Sequence, residues 1–229
     1  MERFENRGGG HNLSSTLAFT LAEVLITLGI IGVVAALTLP AVISKYREKV
    51  FMTKLQKHVS FMETVLSNIY DETGSIADTY NQCHSVLGGE RMSKCFINQL
   101  ITYGNLNPAT VKYEVKWGIG PHAFRLLFPD GSYIAVQIIN TSYVVYLFDL
   151  NGVNPPNLGG IDRFAVHYYP YNTNYVKKPY KNFVYDLVPI NKNQRGSIIQ
   201  SCSNNADQAC MQLILDNNFK PPKDYPLKF

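Results

Sequence analysis

The chain has 229 residues, with 21 basic and 17 acidic side chains and a formal net charge of +4. That imbalance is mild and the lysines are scattered, so composition alone does not mark a nucleic-acid-binding protein. The length allows one sizeable domain or a smaller domain with appendages, and the distribution of hydrophobic residues favours the second arrangement.

Residues 1–18 are polar, contain a glycine triplet and lack the apolar core of a secretory signal peptide. Phe19 then opens a hydrophobic stretch, and residues 24–43 carry no charge; Thr27, Thr38, Gly29, Gly32 and Pro40 are their interruptions. That length matches the roughly 20 residues a helix needs to cross a bilayer, and no second spanning candidate follows. Glu23 is the single ionisable side chain in this helix. An ionised carboxylate in hydrocarbon costs roughly 2.5–3.5 kcal/mol even on insertion scales, so Glu23 is either a functional group or hydrated near the headgroups.

The heptapeptide Leu17-Ala18-Phe19-Thr20-Leu21-Ala22-Glu23 resembles the class III signal of type IV prepilins and of the pseudopilins of type II secretion and DNA-uptake machines. The resemblance implies cleavage by a membrane prepilin peptidase between Ala18, a small residue where glycine is usual, and Phe19, with methylation of the new amine. Glu23 would become the fifth residue of the mature chain. Its charge would complement the α-amino group of a staggered neighbour and set the register in which helices pack into a filament. The partners implied are other subunits, the peptidase and an inner-membrane assembly platform. Flanking charges do not set the orientation: Arg3 and Arg7 are offset by Glu2 and Glu5, while Lys45, Arg47 and Lys49 lie on the far side. A cytoplasmic leader and a head outside the inner membrane follow from the resemblance and from the cysteines.

Pro40 removes an intrahelical hydrogen bond to the Ala36 carbonyl and should loosen or kink the helix; pilins are similar in carrying a proline at this distance. Gly29, Gly32 and Ala36 supply the small surface that lets membrane helices approach closely. Beyond residue 43 the pattern turns amphipathic, with Leu55, Val59, Met62, Leu66 and Ile69 at steps of four and three and Lys54, Lys57, His58 and Glu63 between them. The helix should run to about Glu72 and stop at Gly74, about 80 Å from Phe19 at 1.5 Å per residue. The expected organisation is a leader (1–18), a transmembrane or filament-core helix (19–44), its amphipathic continuation (45–74) and a head (75–229).

In the head, residues 75–110 read as a connection from helix to sheet. Residues 111–117 alternate, and further strand candidates follow at 124–128, 133–139, 143–148 and 164–169, the second and third strands joined by Pro129-Asp130-Gly131-Ser132, a hairpin signal. The fold class is therefore α+β, an antiparallel meander laid on a long helix. Cys83, Cys95, Cys202 and Cys210 all lie beyond the hydrophobic run and read as two disulfides of an exported region. Of three connectivities the local one is expected, Cys83–Cys95 and Cys202–Cys210; a zinc site would need Cys83, His84, Cys95 and a distant ligand, a poor match to structural spacings. Pilins are similar in having a disulfide-bounded loop near the C-terminus, here a polar loop closed by Cys202 and Cys210.

Asp149, Asn151 and Asp162 are oxygen donors around a D-x-N-G turn that resembles the opening of a calcium loop, although Asx and Gly also serve any tight turn. Tyr168, Tyr169, Tyr171, Tyr175, Tyr180 and Tyr185 beside Lys177, Lys178 and Lys181 could stack single-stranded DNA, make a protein contact, or form the outer face of strands. No catalytic constellation is present: G-x-S-x-G, H-E-x-x-H and the Walker loop are all missing. The expectation is a structural subunit of a type IV pilus or type II secretion pseudopilus. The competing class is an exported or anchored binding protein, an adhesin or DNA-uptake component, whose apolar run is an ordinary signal or anchor.

Overall fold

The pattern change at residue 43 divides the chain. In a computed structural model, which describes residues 20–84, 89–113, 123–139, 143–170, 183–184 and 194–229, two units separate at that point, Met1–Ile43 and Ser44–Phe229. Helix α1 (Leu21–Thr73) contributes to both and its assignment runs unbroken through Pro40. It is long and apolar enough to cross a membrane. It ends where Gly74 turns to φ +75°, a conformation glycine adopts without steric cost. The leader and the Ala18–Phe19 junction lie outside the described residues.

In the first unit the apolar side chains face outward, Leu21 and Leu37 each about three-quarters exposed at 78% and 76%. The second unit has the opposite character. There α1 buries Phe51, Met52, Leu55, Val59, Met62, Val65, Leu66 and Ile69, the stripe that three-four periodicity dictates.

That stripe packs on a sheet of six strands among the described residues, in the order β1 to β6 and antiparallel throughout. The strands are β1 (Val111–Tyr113), β2 (Phe124–Leu127), β3 (Tyr133–Ile139), β4 (Tyr143–Asp149), β5 (Arg163–Tyr168) and β6 (Phe183–Val184). The end of the expected first strand, residues 114–117, lies outside the described residues. Alternation puts Phe124 and Leu126, Ile134 and Val136, Val144, Tyr146 and Phe148, and Phe164, Val166 and Tyr168 on the helix side. Register aligns them across the sheet: Ile134 opposite Phe148, Val136 opposite Tyr146, and Phe148 opposite Phe164.

Two segments read as loops are helical. Residues 75–110 contain α2 (Ile76–His84) and α3 (Gly89–Thr102), joined by the Cys83–Cys95 disulfide and by an edge-on contact of Tyr80 and Phe96 at 6.0 Å. Tyr80, Phe96, Ile97 and Leu100 enter the main core, so this connection forms one wall of it. The expected polar loop between the last two cysteines is a helical corner, α4 (Arg195–Ser203) followed by α5 (Asp207–Asp216), held by Cys202–Cys210. Met211, Leu213 and Ile214 of α5 are fully buried, and apolar burial rather than local propensity accounts for the helix.

Leu66→Ala empties a fully buried position and is expected to lower the stability of the second unit by about 2–5 kcal/mol. Leu37→Ala, at an exposed site, should leave it unchanged; chemical unfolding of both variants in detergent, followed by a probe in the sheet, separates them.

Candidate functional site

The first unit offers a surface rather than a pocket. The polar side chains of residues 20–43 are Thr20, Glu23, Thr27 and Thr38. Each is satisfied inside the helix. Thr27 and Thr38 donate to the carbonyls of Val24 and Val34, both at 2.9 Å. Glu23 Oε2 accepts from the amide and the hydroxyl of Thr20, each at 2.8 Å, and the Glu23 amide donates back to Thr20 Oγ1 at 3.2 Å.

This reciprocal pair is a capping box, Thr20 as N-cap and Glu23 as the third helical residue. It satisfies two amides that the first turn would otherwise leave without partners. The T-x-x-E spacing was available in the sequence, so the cap was legible beside the charge. Gly29 and Gly32 have nothing within 4 Å of where a Cβ would stand; among the described residues their small size serves no packing.

In the second unit, a polar chain ties α1 to the β2–β3 turn. Lys54 Nζ lies 3.0 Å from Asp130 Oδ2 and donates to the Leu150 carbonyl, also at 3.0 Å. Ser132 donates its hydroxyl to Asp130 Oδ1 and stands 3.0 Å from His58 Nε2. The serine has one proton and a carboxylate only accepts, so Nε2 carries the hydrogen and donates to Ser132. His58 Nδ1 is then a buried acceptor without a hydrogen-bond partner among the described residues.

His58 was expected among the polar residues flanking the apolar stripe. It is instead 1% exposed and stacks on Phe128 at 4.3 Å, because the turn folds over that face of the helix. Burial, with Lys54 and Lys57 adding to it and Asp130 opposing, pushes its pKa down to about 4. Asp130 is raised by burial, but hydrogen bonds from Ser132 and Lys54 outweigh this and hold it down at about 2. The residue types are those of a hydrolytic triad, but the serine and not the histidine bridges, and Ser132 is fully buried. The chain of contacts fixes a turn and presents no nucleophile.

The loop from Asp149 to Asp162 holds the three residues expected as calcium ligands and engages them in part, leaving Asp149 Oδ2 and Asn151 Oδ1 without partners among the described residues. Asp162 accepts the amides of Asn157 and Leu158 at 2.8 and 2.7 Å, one on each oxygen. The Asn151 side-chain amide donates to the Pro155 carbonyl at 3.1 Å. Asp149 is buried and its pKa is raised by that burial to about 6, against hydrogen bonds from Tyr133, Asn151 and Gly152. Among the described residues no group of three or more His, Cys, Asp or Glu side chains is arranged to hold a metal ion.

The sequence model of a family of unknown function (DUF6613) matches residues 41–229. The chain belongs to that family. No curated protein and no solved structure matches it.

In this DUF6613 chain the tyrosine-rich stretch is only partly described. Tyr168 is in the core, 1% exposed, because alternation along β5 turns it toward the helix; it is unavailable as a stacking platform. Tyr169 contacts the rings of Tyr143 and His167 at 5.3 and 6.2 Å. Tyr171, Tyr175, Tyr180, Tyr185 and the three lysines among them lie outside the described residues. On the sheet face away from α1, a groove of about 470 Å³ runs between Tyr143, Val145, His167 and the α4–α5 corner. The corner is clipped across it by Arg163 to Asp207 at 3.0 Å and by His167 to Gln208.

His58 makes stability depend on pH. Between about 4 and the ordinary 6.5 the unfolded chain binds a proton there that the folded chain excludes. The stabilisation is therefore complete above pH 6.5 and lost as pH falls toward 4. Asp149 works in the opposite sense, taking up its proton near 6 in the folded chain, so wild type alone will show little net slope. The stability difference between wild type and His58→Gln, measured by urea unfolding, is expected to narrow by roughly 2–3 kcal/mol between pH 7 and pH 4.5. A constant difference would remove the buried neutral histidine from the account.

Proposed function

We propose that the protein is a filament subunit of the type IV pilin and pseudopilin kind, anchored in the inner membrane by the first half of α1 and carrying its α+β head outside the cytoplasm. One observation carries this reading: residues 20–43 expose apolar side chains all round while each polar side chain among them finds its partner within the helix. A helix of that description suits lipid. Its open glycine positions suit close approach by a neighbouring helix.

In this reading Glu23 has two uses. Before assembly its carboxylate caps its own helix through Thr20. In the filament it faces the amine of a neighbour's Phe19, the residue that processing after Ala18 exposes. Charge matters only to the second use, because glutamine can replace glutamate in a capping box. The head has no part in this step. Its task, whether in adhesion, secretion or DNA uptake, belongs to the individual machine.

The sequence of the mature chain, purified from its own membrane, is expected to begin at N-methylated Phe19; recovery of only the uncut chain beside an active prepilin peptidase would sink the proposal. Glu23→Gln and Glu23→Ala should both abolish or strongly reduce sheared filaments. Thr20→Val, which weakens the cap by about 1 kcal/mol, should still assemble. If Glu23→Gln forms filaments as well as wild type, Glu23 is a cap and nothing more.

A further inference from the structure

The formal net charge of +4 is not evenly spread. Residues 45–49 hold Lys45, Arg47 and Lys49 against Glu48, and residues 217–229 hold Lys220, Lys223 and Lys228 against Asp224. These two stretches account for the whole excess, and the remainder of the chain is neutral. All six basic side chains are exposed. Asp224 is engaged elsewhere, in a two-pronged pair with Arg195 at 2.9 and 2.7 Å.

Although far apart in sequence, the two stretches meet. Ser44 Oγ donates to the Phe229 carbonyl at 2.8 Å. The Phe229 ring meets Phe51 edge-on at 6.5 Å and stacks with Tyr225 at 5.9 Å, and the Tyr225 hydroxyl donates to the Gly160 carbonyl. Further along, Lys49 and Lys220 line one groove of about 330 Å³ between α1 and residues 218–221, together with Glu48. The fold therefore gathers exposed basic side chains around the single carboxylate of Glu48, a net positive surface that an anion would complement.

We propose that this base of the second unit is a binding surface for the phosphates of anionic phospholipid headgroups; the inference rests on the membrane reading above. Position selects the ligand. Lys45 follows the last apolar residue of the span by two positions and Lys49 by six. Chain connectivity alone therefore keeps Lys45 beside the end of the span, where a membrane's headgroup layer would begin. Tyr46, Tyr225 and Phe229 accompany the lysines, and aromatic rings of this kind favour the membrane interface.

The test uses the full chain reconstituted into vesicles of equal parts phosphatidylglycerol and phosphatidylcholine, with spin-labelled forms of each lipid reporting the fraction held at the protein. Wild type is expected to hold the phosphatidylglycerol label at least five-fold more strongly than the phosphatidylcholine label at low salt. High salt should erase the preference. Each lysine replaced should reduce it by up to roughly five-fold, so Lys220→Gln, Lys223→Gln and Lys228→Gln together should bring it close to parity without changing the unfolding midpoint. Equal association in wild type overturns the proposal, as does full preference in the triple variant or displacement of the lipid by a single-stranded oligonucleotide. Carbonate washing and flotation of the same vesicles tests the underlying reading separately. A chain that is washed off has lost the membrane assignment, whereas one that floats without lipid preference has lost only the headgroup site.

Discussion

The apolar side chains of residues 24–43 find no cover among the described residues of the first unit, since a single helix has no inside. At about 25 cal/mol per Å² of apolar surface, leaving a span of this length in water costs free energy that an apolar surrounding would relieve. Each other feature of the span follows from the requirement for an external apolar surrounding. Thr27 and Thr38 return their hydroxyls to carbonyls one turn back, a habit that matters little in water and a great deal in hydrocarbon. The helix opens with a capping box, so the carboxylate that is hardest to desolvate arrives already hydrogen-bonded.

The second unit solves the opposite problem with the same helix. From Phe51 onward one stripe of α1 is covered by the sheet, by α2 and α3, and by α5. Because α1 threads both units, the turn that locks it matters more than its size suggests. The line from Lys54 through Asp130 and Ser132 to His58 joins residues one turn apart on the helix to a single hairpin. That hairpin sets β2 against β3, and so the register of the whole meander. Burying a neutral histidine there couples the contact to pH, while the raised carboxyl of Asp149 pulls the other way.

Much of this was legible from residue order. The hairpin signal Pro129-Asp130-Gly131-Ser132 located β3 at Tyr133–Ile139, the three-four spacing of Leu55 to Ile69 named the buried face of α1, and cysteine proximity gave both disulfides. The misses have a common cause, which is that short amphipathic helices look like loops until their partner is known. Residues 207–216 hold Asp207, Gln208, Gln212 and Asp216 among their apolar residues, and only the sheet beside them decides which side is buried. His58 was misplaced for the same reason, since Ser132 in the turn that covers it comes 74 residues later in the chain. At Glu23 the charge drew attention from the three-residue spacing to Thr20, although that spacing was plain.

The disulfide in the α4–α5 corner has an implication for how this family can diverge. Gly160 holds φ +80° in the loop before β5, and a Cβ there would collide with the Cys210 sulfur and crowd Leu227. Three segments remote in sequence thus share one small volume, and none can change size independently. Across the family, loss of the glycine should accompany loss of the cysteine pair, so that these positions drift as one inherited unit rather than as separate sites.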